Sequence, residues 1–270
     1  MMSAALTSNP LARAGTGTPL QSTTAVRIEH VLRLADSSLI LGQRLSEWCG
    51  HGPILEEDIA LANMALDLIG QARLLLAHAA TLEGAGRDED ALAFLRSENE
   101  YRNVTLVELP NEPGEQGGRD FARTVVRNFL FTSWQEQVWP RLQAGADADL
   151  AAIAAKSAKE TRFHVRHSAD WVIRLGDGTE DSHARTQRAL DVLWPFTAEL
   201  FSADAGDLDA GALQPEWEAG VRHVLAAATL SAPARTPFLS HGKQGVHSEH
   251  LGHLLATMQY LQRSYPGARW

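Results

Sequence analysis

Cysteine is nearly missing from this 270-residue chain, with Cys49 standing alone. One thiol can form neither an intrachain disulfide nor a cysteine-rich zinc site. The shortage fits a reducing compartment, so a cytoplasmic protein is expected. Cys49 follows Trp48 at a helix end, which predicts a packed side chain rather than a nucleophile. Long apolar runs are also lacking. No stretch of about 18 uninterrupted apolar residues occurs, so no membrane-spanning helix is expected. Positive charge is scarce: 24 Lys and Arg face 33 Asp and Glu, a formal net charge of −9. That balance argues against a general nucleic-acid binder. The Gly-x-Gly-x-x-Gly, P-loop and Gly-x-Ser-x-Gly signatures are absent, which removes the commonest dinucleotide, nucleotide and hydrolase readings.

What the chain does contain is helical periodicity, with no convincing period-2 strand. Residues 1–27 are rich in Ser, Thr, Ala and Gly and read as a disordered tail, followed by a single domain over 28–270. A first helix is expected over about 29–49, with Leu32, Ala35, Leu39 and Leu45 near one face. A second, over 55–83, is apolar almost all round, as a central helix is. A shorter helical stretch follows from Asp88 to about Leu109, then a loop over 110–118 rich in Pro and Gly. Further helices are expected over 119–142 and 148–175. Another is capped by Asp181 or Ser182 and broken at Pro195, and two more cover 216–230 and 246–265. Several helices of about 20 residues joined by short turns predict an all-α helical bundle, a four-helix core with additions.

A bundle of this kind often holds two metal ions, with one Glu from each of two helices and Glu-x-x-His from each of the other two. The i, i+3 spacing puts both ligands of a pair on one helix face. The chain has one Glu-x-x-His, Glu180 to His183, and it lies at a helix start, where acidic residues serve the helix dipole. On the fourth long helix Leu150, Ile153, Ser157, Thr161, His164 and Ser168 share a stripe, so His164 is expected inside, with Thr161 where a Glu would complete a pair. Such a lone His is more often a hydrogen-bonded core residue than a ligand, and Glu160 is placed to bond it. On the second helix Asn63, Asp67 and Gln71 form an i, i+4, i+8 polar row that faces either solvent or the bundle centre. In the inward case Asp67 has Gly70 at i+3, which offers no ligand. Near the C-terminus His247, His250 and His253 recur at i, i+3 steps with Glu249 among them. That drift does not converge on one tetrahedral ion, so structural hydrogen bonds or a partner contact are expected ahead of metal.

Several strings carry a resemblance: LGQRLSEWCGHGP at 41–53, DIALAN at 58–63, GQAR at 70–73, KETRFH at 159–164 and LWPFTAELF at 193–201. The C-terminal stretch 242–270 adds HSEHLG at 247–252 and MQYLQR at 258–263. From about residue 28 onward the chain resembles the C-subunit family of phenylacetyl-CoA ring-1,2-epoxidases. The resemblance implies a ferritin-like, non-catalytic structural subunit that binds no cofactor of its own. Its implied partners are a homologous di-iron catalytic subunit, a small bridging subunit, and a reductase carrying FAD and an iron–sulfur centre. That complex uses oxygen and NADPH to epoxidise the ring of phenylacetyl-CoA. In the catalytic homologue the segment matching 161–164 reads Glu-x-x-His, so Thr161 here stands for the Glu and His164 remains. A buried polar cluster of Asp67, Glu160 and His164 is expected in place of metal. The alternatives are a stand-alone di-metal oxygenase using His164, Asp67 and the C-terminal histidines, or a helical acyl-CoA-binding module.

Overall fold

The computed structural model describes residues 19–111, 118–202, 209–235 and 237–268. Four long helices make the core: α1 (Pro19–Ser46), α2 (Leu55–Glu83), α5 (Phe121–Gln143) and α6 (Ala148–Gly176). Between the hairpins lie α3 (Glu89–Phe94) and α4 (Thr105–Glu108); after them come α7 (Glu180–Leu193), α8 (Ala210–Ala227), α9 (Glu249–Met258) and α10 (Tyr260–Ser264). Helices α1 and α2 form one antiparallel hairpin, α5 and α6 another, and the hairpins pack face to face. Gln135 Nε2 donates to Ser38 Oγ at 3.3 Å, which ties α1 to α5, and the Trp48 indole N–H, in the turn after α1, donates to Thr124 Oγ1 of α5 at 3.0 Å. This is an all-α, ferritin-like bundle. Ile40, Leu45, Leu61, Met64, Phe129 and Trp139 are among its fully buried side chains, each large aliphatic or aromatic group contributing roughly 1.5–3 kcal/mol by leaving water.

Local chemistry fixes the ends of the core helices. Asp120 caps α5 by accepting from the Ala122 and Arg123 N–H groups, and Asp147 caps α6 by accepting from that of Leu150. Thr179 caps α7, two residues before Asp181 and three before Ser182, with the Ser182 hydroxyl reciprocating. Pro195 falls in a 3-10 stretch, Trp194–Phe201. Helix α8 starts at Ala210, before Pro215, because Asp209 caps it.

Three segments depart from the periodicity. Helix α1 begins at Pro19, so residues 19–27 are helical rather than tail, and Arg27 reaches Asp147 at 2.7 Å; residues 1–18 lie outside those described. The stretch expected to be helical from Asp88 to Leu109 is broken at a buried ion pair. Asp36 is fully buried, and the Arg96 guanidinium and the Arg102 backbone N–H both donate to it. A continuous helix would have committed that N–H to its own ladder. The last helix starts at Glu249, capped by Ser248, because Gly245 at φ +79° turns the chain in a left-handed conformation. It breaks again at Gln259, whose amide donates to Arg96 O and Tyr101 Oη.

Candidate functional site

The seam between α2 and α6 gathers most of the residues that the sequence singles out. His164 is fully buried, and its Nε2 lies 3.1 Å from Asp67 Oδ2. Toward one end His167 Nε2 lies 2.9 Å from Glu57 Oε2; toward the other Gln71 Nε2 donates to Glu160 Oε2 at 3.0 Å. Beyond that, His78 Nε2 lies 2.9 Å from Asp147 Oδ2, an oxygen that Arg27 also reaches. Burial works against the Asp147 carboxylate. The Leu150 N–H, Arg27 and His78 outweigh it and hold its pKa down to about 2. Along antiparallel helices these pairs make a ladder, and three of its four rungs join an imidazole to a carboxylate.

The ladder also sorts the expected polar row. Asn63 is exposed, the Asp67 side chain is 39% exposed, and Gln71 is buried. Steps of four residues advance about 40° past a full turn, so the row winds from the outside to the inside and is neither purely outward nor purely inward. Asp67 and His164 meet. Glu160, four residues before His164, turns instead to Gln71 and, at 3.7 Å, to Lys156. Gly70 lies on the outer surface of α2, where a Cβ would meet nothing within 4 Å. It therefore marks no ligand position in the bundle centre.

The interior itself is lined by amides, hydroxyls and rings. Thr161 Oγ1 accepts a 2.9 Å hydrogen bond from the Trp139 indole N–H, so the indole occupies the space beside the His164 turn. Ser38, Gln71, Asn128, Thr132, Gln135, Ser157 and Ser168 are further buried polar positions of these four helices near the centre. The carboxylates buried on the same helices are already engaged: Asp36 by Arg96 and Arg102, and Glu57 by His167. Among the described residues His78, Asp147 and Asp149 bring potential ligand atoms within 4.8 Å of one another. Both Asp147 oxygens, however, already accept from Leu150, Arg27 and His78.

The C-terminal histidines separate. His247 precedes α9, and its side chain is fully buried, with Nδ1 2.9 Å from Glu108 Oε2 and Nε2 3.1 Å from the Tyr101 carbonyl. It is an internal tie, not part of an exposed partner surface. His250 is half-buried, and burial lowers its pKa; Glu249 and His253 are exposed. Glu180 and His183 open α7, with His183 Nδ1 2.7 Å from Gly176 O, a local contact. Cys49 is exposed; the packed side chain of that pair is Trp48.

Sequence reasoning missed two carboxylates that hold the C-terminal segment. Buried Glu199 accepts from Thr105 N, Ser240 Oγ and Lys243 N at 2.6–2.8 Å. Buried Glu108 accepts from Asn103 Nδ2, His247 and Ser248 N. The available signal was an acidic residue set inside an apolar string, LVEL for Glu108 and FTAELF for Glu199, because a buried charge needs dedicated donors.

Comparison with known proteins agrees with this architecture. A family model described as phenylacetic acid catabolic protein matches residues 14–270. The C subunit of 1,2-phenylacetyl-CoA epoxidase from Escherichia coli strain K12 is 47% identical over 250 residues, 89% of this chain and 98% of that protein. With nearly its whole length matched, the chain belongs to the phenylacetic acid catabolic protein family.

Proposed function

We propose that this chain is the non-catalytic, structural subunit of a cytoplasmic oxygenase complex that epoxidises the ring of phenylacetyl-CoA. It binds and steadies a homologous catalytic subunit that carries the di-iron centre, while a small bridging subunit and an NADPH-dependent FAD and iron–sulfur reductase complete the assembly. The relative's name supports the complex and its substrate class. One observation carries the division of labour: where two hard cations would need bridging carboxylates, the centre offers the Trp139–Thr161 hydrogen bond, amides and serines. Of the buried imidazoles on the core helices, His164 is bonded to Asp67 and His78 to Asp147, which leaves them committed to protein carboxylates rather than to a pair of ions.

On this reading the chain's own residues do mechanical work. The α2–α6 ladder fixes the spacing of two helices that a metal pair would otherwise tie together, and Glu108 and Glu199 clamp the C-terminal segment to α4. The test is copurification with the catalytic homologue, together with metal analysis of the isolated chain. Co-elution of the two chains, with the iron and the turnover tracking the homologue, is the expected result. About two irons per isolated chain with oxygen-dependent turnover would overturn the proposal in favour of a self-sufficient oxygenase.

A further inference from the structure

The middle of the bundle buries more polar atoms than its own side chains satisfy. On the inward face of α6, Ser157, Thr161, His164 and Ser168 are all fully buried. Thr161 Oγ1 is engaged by the Trp139 indole, but Ser157 Oγ, His164 Nδ1 and Ser168 Oγ have no hydrogen-bond partner within the protein. On α5, Thr132 Oγ1 donates to Asn128 O, while Asn128 Oδ1 and Gln135 Oε1 are unpaired. Gln71 Oε1 on α2 is another such atom, on a buried side chain. Buried amides and hydroxyls are normally hydrogen-bonded. This many left unpaired would together outweigh the margin by which a domain is stable.

Three of these atoms share one level of the bundle. The Trp139–Thr161 bond sets the register of antiparallel α5 and α6. About one turn on from it, Gln135 on α5 stands level with His164 on α6. The Gln135 amide donates to Ser38 of α1. Gly42, one turn after Ser38, packs against Ala65, Leu68 and Ile69 of α2, which sets Ser38 level with Gln71. Each core helix thus gives this layer one buried polar side chain: Ser38, Gln71, Gln135 and His164. The Gln71 amide N–H faces the Glu160 carboxylate, which fixes the amide's orientation and leaves Oε1 as an acceptor. Gln135 Oε1 is left in the same way once its Nε2 goes to Ser38. His164 Nε2 faces the Asp67 carboxylate and so carries a proton, which makes Nδ1 an acceptor in the neutral ring. Three acceptors at one level call for a small donor. We infer that this layer is a built water site, in which internal water donates to Gln71 Oε1, Gln135 Oε1 and His164 Nδ1 and joins α2, α5 and α6 at their centre. A water supplies two hydrogens and accepts two, so a pair of molecules meets these acceptors and can accept from the Ser168 hydroxyl one turn away. A chain of this length ordinarily holds on the order of ten internal waters. A cation fits less well, because the nearest carboxylates, Asp67 and Glu160, already hold His164, Gln71 and Lys156. The site does not rest on the proposed function.

The test is a high-resolution crystal structure of the full chain, joined to oxygen-17 relaxation dispersion of water in solution, which counts the molecules held inside. Water density within about 2.6–3.2 Å of both Gln71 Oε1 and His164 Nδ1 is the expected result. Gln135→Leu keeps most of the side chain's bulk and removes one acceptor. It should lower the solution count by about one water or more, with the melting temperature as the control for folding. If that variant does not fold, the wild-type density decides the question by itself. Direct pairing of Gln135 with Gln71 or His164, with no water density in the layer, would overturn the site. Density with six or more oxygen neighbours at about 2.3–2.6 Å would also overturn it, because that shell belongs to a metal cation. A folded Gln135→Leu chain with the wild-type water count would refute a site shared by these three side chains.

Discussion

The imidazole of His164 on α6 lies 3.1 Å from the carboxylate of Asp67 on α2, with the ring fully buried and the carboxylate 39% exposed. The pair therefore spans from the bundle interior to its surface, and its two ends should behave differently on substitution.

Asp67→Asn should change stability by less than about 1 kcal/mol, because a solvated carboxylate gains little from its partner. His164→Ala should cost about 2–4 kcal/mol by emptying a filled interior position. Urea unfolding of both variants and of the double mutant checks this. A loss for Asp67→Asn as large as that for His164→Ala would show that the pair acts as a buried ion pair.

Thr161→Val keeps the side chain's shape but removes the acceptor for the Trp139 indole N–H, which is 2.9 Å away. The stranded donor should cost about 1–3 kcal/mol. Thr161→Glu re-creates a Glu-x-x-His with His164, yet it should destabilise the chain further and bring no iron, because the indole fills that space. Iron retained by the Thr161→Glu chain, measured after gel filtration, would refute this account of the interior.

Asp36 and Arg96 are both buried and joined by a bidentate pair, and Arg96 also lies 4.3 Å over the Tyr101 ring. Asp36→Ala should leave an uncompensated guanidinium and cost about 3–5 kcal/mol. Hydrogen exchange should report the loss first in residues 96–104 and around Gln259, which this pair organises. Uniform loss of protection across the chain would contradict a local role.

Both nitrogens of His247 face acceptors, Glu108 Oε2 and Tyr101 O, so the ring is held as a doubly protonated imidazolium. Burial opposes that charge. The hydrogen bond and charge of Glu108 outweigh it and raise the His247 pKa above its ordinary value. The resulting stability is complete below the unfolded value near about pH 6.5 and is lost as pH rises through the raised folded value. Unfolding free energy measured across that window should fall with rising pH in the wild type. The His247→Gln chain should lack that part of the slope, and parallel profiles would exclude His247 as the source.

The bundle was legible because its long helices carry uninterrupted 3.6-residue periodicity and end at local signals. The bounds of α2 match the expected 55–83, where Gly84 closes the helix in a left-handed conformation. The middle segment was not legible. Arg96 and Asp36 are 60 residues apart, and no local pattern announces that one will break its helix to reach the other. The polar row on α2 was legible as a row but not in its facing, because the 40° drift matters only once α6 is in place. His247 read as one of three evenly spaced histidines until Gly245 and Ser248 put it outside the helix.

By itself the sequence determined the helical class, the order of the long helices and the shortage of carboxylates at metal-ligand spacing, since each depends on residue type and short-range periodicity. Tertiary structure alone decided that Asp67 meets His164 while Glu160 turns to Gln71. It also decided that Gly70 faces outward and that Glu108 and Glu199 bind the C-terminal segment. Those choices depend on how two helices rotate against each other, which is set by the packing of the whole core rather than by any segment within it.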